Sequence, residues 1–382
     1  MALPSGRSLL AITECLLMDI YSIWLLLEDV CRLDSAICSK KFRPDFLRIV
    51  SFDLLLFLRE GIDISNRSHP STRNHRYLRL SALNWIRRRG IHLATLRLPP
   101  AIKIDEREQE CICGAIVSLI NSQRLVKLET IDFNGCSYLN YSDMAVFVIN
   151  DCYKSLKCID IKGIYFPFNL LTCSGLEAIA THGWFDTTMV PLFEKCRRLR
   201  RFALLDPAIY DLSDDTLRSI ASHSRFIEHL NLGNCPTIRD GQLITIIRSC
   251  PLIRVFCIDN SNISDASVLA IGENLPGLRQ ICLRNNSIIS SRAIETLASK
   301  CPMLESIDLT QCPNMGDTTL IKIADHCSAE LQGLSVYRCH SVTAIGLAYV
   351  KAKCSKLRRV GVQPDVLNSL RERFPYLGWV PW

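Results

Sequence analysis

The chain has 382 residues, 48% of them hydrophobic and 22% charged, and a net charge of +7. That balance can bury a core and excludes global disorder. No apolar run approaches the ~18 residues a membrane-spanning helix needs. The best candidate, Ile20 to Leu27, is interrupted by Asp19 before it and Glu28 and Asp29 after it. It also lacks the form of a secretion signal. The expected location is cytoplasmic and/or nuclear.

In chain order, residues 8–48 read as short helices, Leu9 to Trp24 and Leu27 to Ser39, with a third from Pro44 to Phe57. Leu16, Leu17, Ile20 and Ile23 fall on one helical face, and Val30, Leu33 and Ile37 on another. Residues 49–90 read as a helical, basic linker or N-terminal cap. Between Lys40 and Arg97 there are 13 Lys and Arg against 4 Asp and Glu, so the charge is concentrated there. A basic segment can mark nucleic acid. No aromatic-interleaved RNA motif accompanies it, so nucleic acid is not the expected partner.

From residue 91 to 363 the pattern L-x-x-L-x-L-x-x-C recurs. It is complete at Leu128-Ile131-Phe133-Cys136, Ile227-Leu230-Leu232-Cys235, Leu304-Ile307-Leu309-Cys312 and Leu331-Leu334-Val336-Cys339. Copies with the cysteine replaced start at Leu93, Leu156, Leu199, Ile253, Leu278 and Leu357, making ten. From Leu199 the first positions are spaced 28, 26, 25, 26, 27 and 26 residues apart. The gap from Leu156 to Leu199 is 43, which Leu176-Ile179-Thr181 would split as an eleventh unit. Within a unit the alternating segment predicts a strand with one buried face. A turn and an amphipathic helix follow, with Asp240 and Asp317 expected as N-caps. Cys-Pro or Cys-Ser pairs such as Cys250-Pro251 and Cys301-Pro302 end the helices. Residues 364–382 form a C-terminal cap or tail.

A strand–helix unit cannot bury its apolar face alone, and stacked units share one core. The predicted fold is therefore an α/β solenoid, a horseshoe of about ten or eleven strand–helix units, preceded by a small all-helical domain. The repeat, with cysteines closing both strand and helix, resembles the cysteine-containing class of leucine-rich repeats. The 19 cysteines then read as reduced, buried small hydrophobes. Cys111 and Cys113 have poor zinc spacing, and no CxxC pairs with a second one. No metal and no cofactor are expected.

The N-terminal helices are similar to an F-box. Ile20 to Leu33 resembles its middle and Ala36 to Lys41 its end, although Ile12-Thr13 stands where Leu-Pro is expected and no Trp follows Lys40. The resemblance implies a substrate-recognition subunit of an SCF-type ubiquitin ligase. Ile12, Leu16, Ile20, Val30, Leu33 and Ile37 would then dock on an adaptor of the Skp family. A target protein would bind the concave face of the strands, where Asp132, Asn134, Asp160, Lys162, Arg201, His229, Asn231, Asp259, Arg284, Asp308, Tyr337 and Arg359 are placed by alternation. The rival is a non-enzymatic scaffold or inhibitor in which those helices only cap the solenoid. GxSxG, HExxH and P-loop motifs are absent, so no catalytic role is expected.

Overall fold

The computed structural model describes Leu83 and Asn84, parts of the chain between 95 and 204, and residues 212–373 without a break. The F-box-like segment, the six residues expected to dock on an adaptor, Asn134 and Lys162 lie outside the described residues. The chain divides into two units, Met1–Leu176 and Glu177–Trp382.

In the first unit β1 (Thr95–Arg97), β2 (Thr130–Asp132) and β3 (Cys158–Asp160) run parallel, with Leu96, Ile131 and Ile159 in register. Between β1 and β2 lies α1 (Glu106–Asn121), whose N-cap Asp105 accepts a 2.7 Å hydrogen bond from the Glu108 N–H.

The second unit is a regular alternation of strand and helix. Its strands are β4 (Ala178–Thr181), β5 (Arg201–Leu204), β6 (His229–Asn231), β7 (Val255–Cys257), β8 (Gln280–Cys282), β9 (Ser306–Asp308), β10 (Gly333–Ser335) and β11 (Arg359–Gly361). They form a parallel sheet in sequence order. The helices are α2 (Asp186–Lys195), α3 (Asp214–His223), α4 (Asp240–Ser249), α5 (Asp265–Asn274), α6 (Ser291–Lys300), α7 (Asp317–Cys327), α8 (Ala344–Lys353) and α9 (Pro364–Arg373). Consecutive helices pack on one another. The suspected extra unit exists: Leu176, Ile179 and Thr181 are buried, and β4 pairs with β5 through Ile179 and Phe202.

Register explains why the repeat must keep its phase. Leu230, Phe256, Ile281, Ile307, Leu334 and Val360 form one in-register row of buried side chains. Leu232, Ile258, Leu283, Leu309 and Val336 form a second, each 0% exposed. Full burial of such a side chain contributes roughly 1.5–3 kcal/mol, and a slip of one residue would turn the row outward.

After each of β6 to β10 the backbone turns through a left-handed residue: Asn234, Asn260, Asn285, Gln311 and Arg338 have φ between 52 and 60°. Asn tolerates that region best. The turn delivers one more N–H to the ladder, as from Asn234 to the Asp259 carbonyl at 2.8 Å and from Gln311 to that of Tyr337 at 2.8 Å. The Asn260 amide also donates to Asn234 Oδ1, and Asn285 to Asn260 Oδ1.

The expected cap residues are corrected. Asp240 and Asp317 are the first residues of their helices, after N-caps Arg239 and Gly316. Their carboxylates reach the next unit instead. Asp240 accepts from the Ser264 N–H (2.9 Å), Ser264 Oγ (2.6 Å) and Ser267 Oγ (2.5 Å). Asp265 holds the Ser290 N–H and hydroxyl in the same way, and Asp317 holds those of Thr343. Ser264, Ser290 and Thr343 are the N-caps of α5, α6 and α8. A carboxylate at a first turn also sits well in the helix dipole. Burial raises the Asp240 carboxyl, but the bonds from Ser264 and Ser267 outweigh it and hold it below its ordinary range.

The cysteines also tie units together. The Cys312 thiol donates to the Leu283 carbonyl and the Cys339 thiol to that of Leu309, both at 3.1 Å. At the helix ends Cys250 donates to Ser224 O and Cys301 to Leu275 O. Burial pushes the Cys250, Cys312 and Cys327 thiols up to about 12, and Cys301 and Cys339 to about 11. In the unit that starts at Leu278, one of those without the cysteine, Asn286 occupies its place. Asn286 is 0% exposed and donates to Ile258 O (2.8 Å) and Leu283 O (3.0 Å). It also accepts from the Ser261 N–H (3.3 Å).

Candidate functional site: the open face of the sheet

One face of each strand is buried against its helix, so the side chains on either side of the buried row form the other face. In the second unit the row before it holds Arg201, His229, Val255 and Gln280, and continues to Arg359. The row after it holds Asn231, Cys257, Cys282, Asp308 and Ser335. Asp259, Arg284 and Tyr337 lie just beyond the strand ends. Alternation therefore places eight of the expected face residues on one surface: Arg201, His229, Asn231, Asp259, Arg284, Asp308, Tyr337 and Arg359.

Asp132 and Asp160, in the first unit, are different. Asp160 is 0% exposed and presents no surface to a partner, so its place in the expected set is corrected, whereas Asp132 is 9% exposed and lies at the margin of the face, as Cys282 does. Alternation sets which way a strand side chain points and not how far it is covered; Asp308, at the equivalent strand position, stays partly exposed.

The best-developed chemistry on the face surrounds Arg284. Its guanidinium Nε lies 3.5 Å from Asp308 Oδ2 and its Nη2 lies 4.0 Å from Asp259 Oδ2. The same Nε donates to Cys282 Sγ at 3.3 Å. Half the Arg284 side chain remains exposed while both aspartates are mostly covered. Burial raises the Asp259 carboxyl, Arg284 pulls it back, and Asp308 pushes it up. Asp308 is further positioned by the Thr310 N–H at 3.0 Å. A Cβ at position 233 would collide with the Asp259 carboxylate, which explains Gly233 there. Further along, Tyr337 is exposed with Arg338 over its ring at 5.6 Å.

Flanking the face is a line of ion pairs between successive units: Arg200 with Glu228 and Arg279 with Glu305, both at 2.6 Å. These surface pairs contribute little stability individually. They consume charge at the edge and leave both signs on the face itself.

Sequence reasoning missed Cys257 and Cys282 as face residues because every cysteine was assigned to the core. The signal was present: each stands one residue after the central apolar residue of its strand, Phe256 and Ile281, one repeat apart. Among the described residues no group of three His, Cys, Asp or Glu could hold a metal ion, and no helix is long and apolar enough to cross a membrane.

Parallel strands in sequence order, a left-handed turn, and a helix returning on the far side define a leucine-rich-repeat fold. Residues 213–363 match the family model for the leucine-rich repeats of FBD-associated F-box protein At5g56370. F-box/LRR-repeat protein 9 of Arabidopsis thaliana, provisionally so named, is 30% identical over 125 residues, 32% of this chain and 50% of that one. A Caenorhabditis elegans protein provisionally named RNA-binding protein EEED8.10 is 24% identical over 77% of this chain and 45% of its own. The chain thus spans about half the length of these relatives. Among solved structures, a chain of the yeast Rad7–Elc1 complex superposes with a TM-score of 0.56 at 14% identity, covering 92% of this chain and 91% of that one. At that identity the likeness establishes the fold.

Proposed function

We propose that the chain is the target-recognition subunit of an SCF-type ubiquitin ligase, with a target protein held on the open face of the second unit. The observation that carries this reading is an unfilled sheet face bearing both charge signs, in a chain whose repeats match those of an F-box protein. Mixed charge suits a folded protein or peptide better than a polyanion. Arg284 is the favoured anchor, since a planar guanidinium flanked by two carboxylates is already oriented before a partner arrives. In this reading Ile12, Leu16, Ile20, Val30, Leu33 and Ile37 dock on a Skp-family adaptor. The chain does no chemistry itself and acts by proximity, raising the local concentration of target near the transfer machinery.

The test is calorimetry with a recombinant Skp-family adaptor. Wild type should bind at micromolar Kd or tighter. A Leu16→Ser/Ile20→Ser variant should lose ~100-fold or more, because truncating central apolar anchors costs on the order of 2 kcal/mol each. If wild type shows no binding, the ligase reading fails and the helices serve only as a cap. The name of the worm relative and the basic segment from Lys40 to Arg97 favour RNA as the competing ligand. A steeply salt-dependent mobility shift with single-stranded RNA would support that instead.

A further inference from the structure

Cys257 and Cys282 are in-register partners on adjacent parallel strands, β7 and β8. Both lie on the open face, Cys257 partly exposed and Cys282 at 9%. No other in-register pair among the described strands of the second unit brings two thiols together. These two therefore differ from the thiols that donate to carbonyls in the core. Cys282 Sγ instead accepts from Arg284 Nε at 3.3 Å, and Arg284 is fixed by Asp308 and Asp259.

We propose that Cys257 and Cys282 form a dithiol site for peroxide-class oxidants, closing reversibly to a disulfide on the open face of the sheet. Thiolate is the reacting form, and an adjacent arginine is the usual way a protein stabilises it. The hydrogen bond donated by the Cys257 thiol holds Cys282 below the ordinary thiol range; Arg284 adds to this, while burial, Asp308 and Asp259 oppose it. Cys257, as the donor, is pushed up. The 3.3 Å contact of Arg284 Nε with Cys282 Sγ assigns the order of events. Cys282 thiolate attacks one peroxide oxygen, breaking the O–O bond and giving a sulfenic acid and, after protonation, water. The Cys257 sulfur then attacks the Cys282 sulfur, the S–O bond breaks, and hydroxide leaves with the Cys257 proton as a second water. Two thiols are oxidised by two electrons and one peroxide is reduced to two waters.

Closure is geometrically close but not relaxed. Strands ~4.8 Å apart satisfy the Cα separation of a disulfide, whereas parallel Cβ vectors start wider than its usual ~3.8 Å. A bond formed under such strain is readily reduced, which suits a reversible mark. Disulfide formation would also remove the thiolate charge that Arg284 stabilises and leave the guanidinium to its two aspartates.

The site can be read by peptide mapping of the full chain. Cleavage after Lys and Arg puts Cys257 alone in 255–279 and Cys282 alone in 280–284. After brief treatment with hydrogen peroxide, a cross-link between these two peptides should dominate and disappear with dithiothreitol. In Cys257→Ser, dimedone should trap sulfenic acid on Cys282, whereas Cys282→Ser should show none at Cys257. Arg284→Gln should slow iodoacetamide labelling of Cys282 by about threefold or more, the effect of losing a neighbouring positive charge. The proposal is overturned if Cys282 stays reduced while exposed Cys111 oxidises, or if Cys282 links elsewhere. It is overturned equally if labelling of Cys282 is unchanged in Arg284→Gln.

Discussion

Replacing Asn286 with Ala tests the physical role of the position that elsewhere holds cysteine. The side chain is fully buried and joins two units: its amide donates to Ile258 O at 2.8 Å and accepts from the Ser261 N–H at 3.3 Å. Leu283 O would keep a partner in Cys312, but Ile258 O and Ser261 N would each lose this one. Stranding a buried polar group costs about 1–3 kcal/mol, so Asn286→Ala should destabilise by about 3 kcal/mol. Asn286→Cys restores one donor, in the manner of Cys312, and should cost about 1–2 kcal/mol, the burden of a stranded Ser261 N–H. Equilibrium unfolding in urea followed by circular dichroism gives both values from the midpoints if the slope is unchanged. A changed slope would mean the array has lost cooperativity at this joint. The reasoning is refuted if Asn286→Ala unfolds within about 0.5 kcal/mol of wild type, or if Asn286→Cys is no better than Asn286→Ala.

Leu232→Asp places an unpaired carboxylate in a row that is 0% exposed, so it should cost more than the usual ~0.5–3 kcal/mol of a point change; a wild-type melting curve would refute the phase. Asp240→Ala removes three hydrogen bonds that cross to the next unit and should lower stability by about 2 kcal/mol. Because the folded carboxyl lies below its ordinary 3.8, the ionic part of that stability is present above this value and lost as pH falls; the wild-type and variant midpoints should converge in acid. The buried thiols act at the other end of the scale. With Cys250, Cys312 and Cys327 raised from 9.0 to about 12, their stabilising effect is whole below pH 9 and lost as pH rises toward 12, since the unfolded chain ionises first. A urea midpoint that stays level from pH 8.5 to 10.5 would contradict it.

The repeat phase was legible because period and burial are the same fact: the row from Leu230 to Val360 needs one apolar residue at a fixed place in each unit. The unit at Leu176 was legible for the same reason despite its irregular spacing. The starts at Asp240 and Asp317 were misread by one residue because Asp suits both an N-cap and a first turn, and the residues before them are Arg239 and Gly316. The groups these carboxylates bind lie some 25 positions later, and local pattern carries no such information. The face residues were placed by alternation alone, which fixes direction and not exposure. Asp160 therefore belongs to the expected row and yet is buried, while Cys282 was assigned to the core and borders the face.

The carboxylate clamps all point one way. Asp240, Asp265 and Asp317 each secure the helix start of the unit that follows, and Cys312, Cys339 and Asn286 each fasten to a carbonyl of the unit before. In both sets the later unit is completed by groups the earlier one already has in place. During synthesis a unit leaving the ribosome would meet its acceptor ready, without waiting for residues still to be made. The array is in that sense vectorial: trimming units from its C-terminal side leaves earlier helix starts secured, whereas removing one from the N-terminal side strips its successor of its clamp.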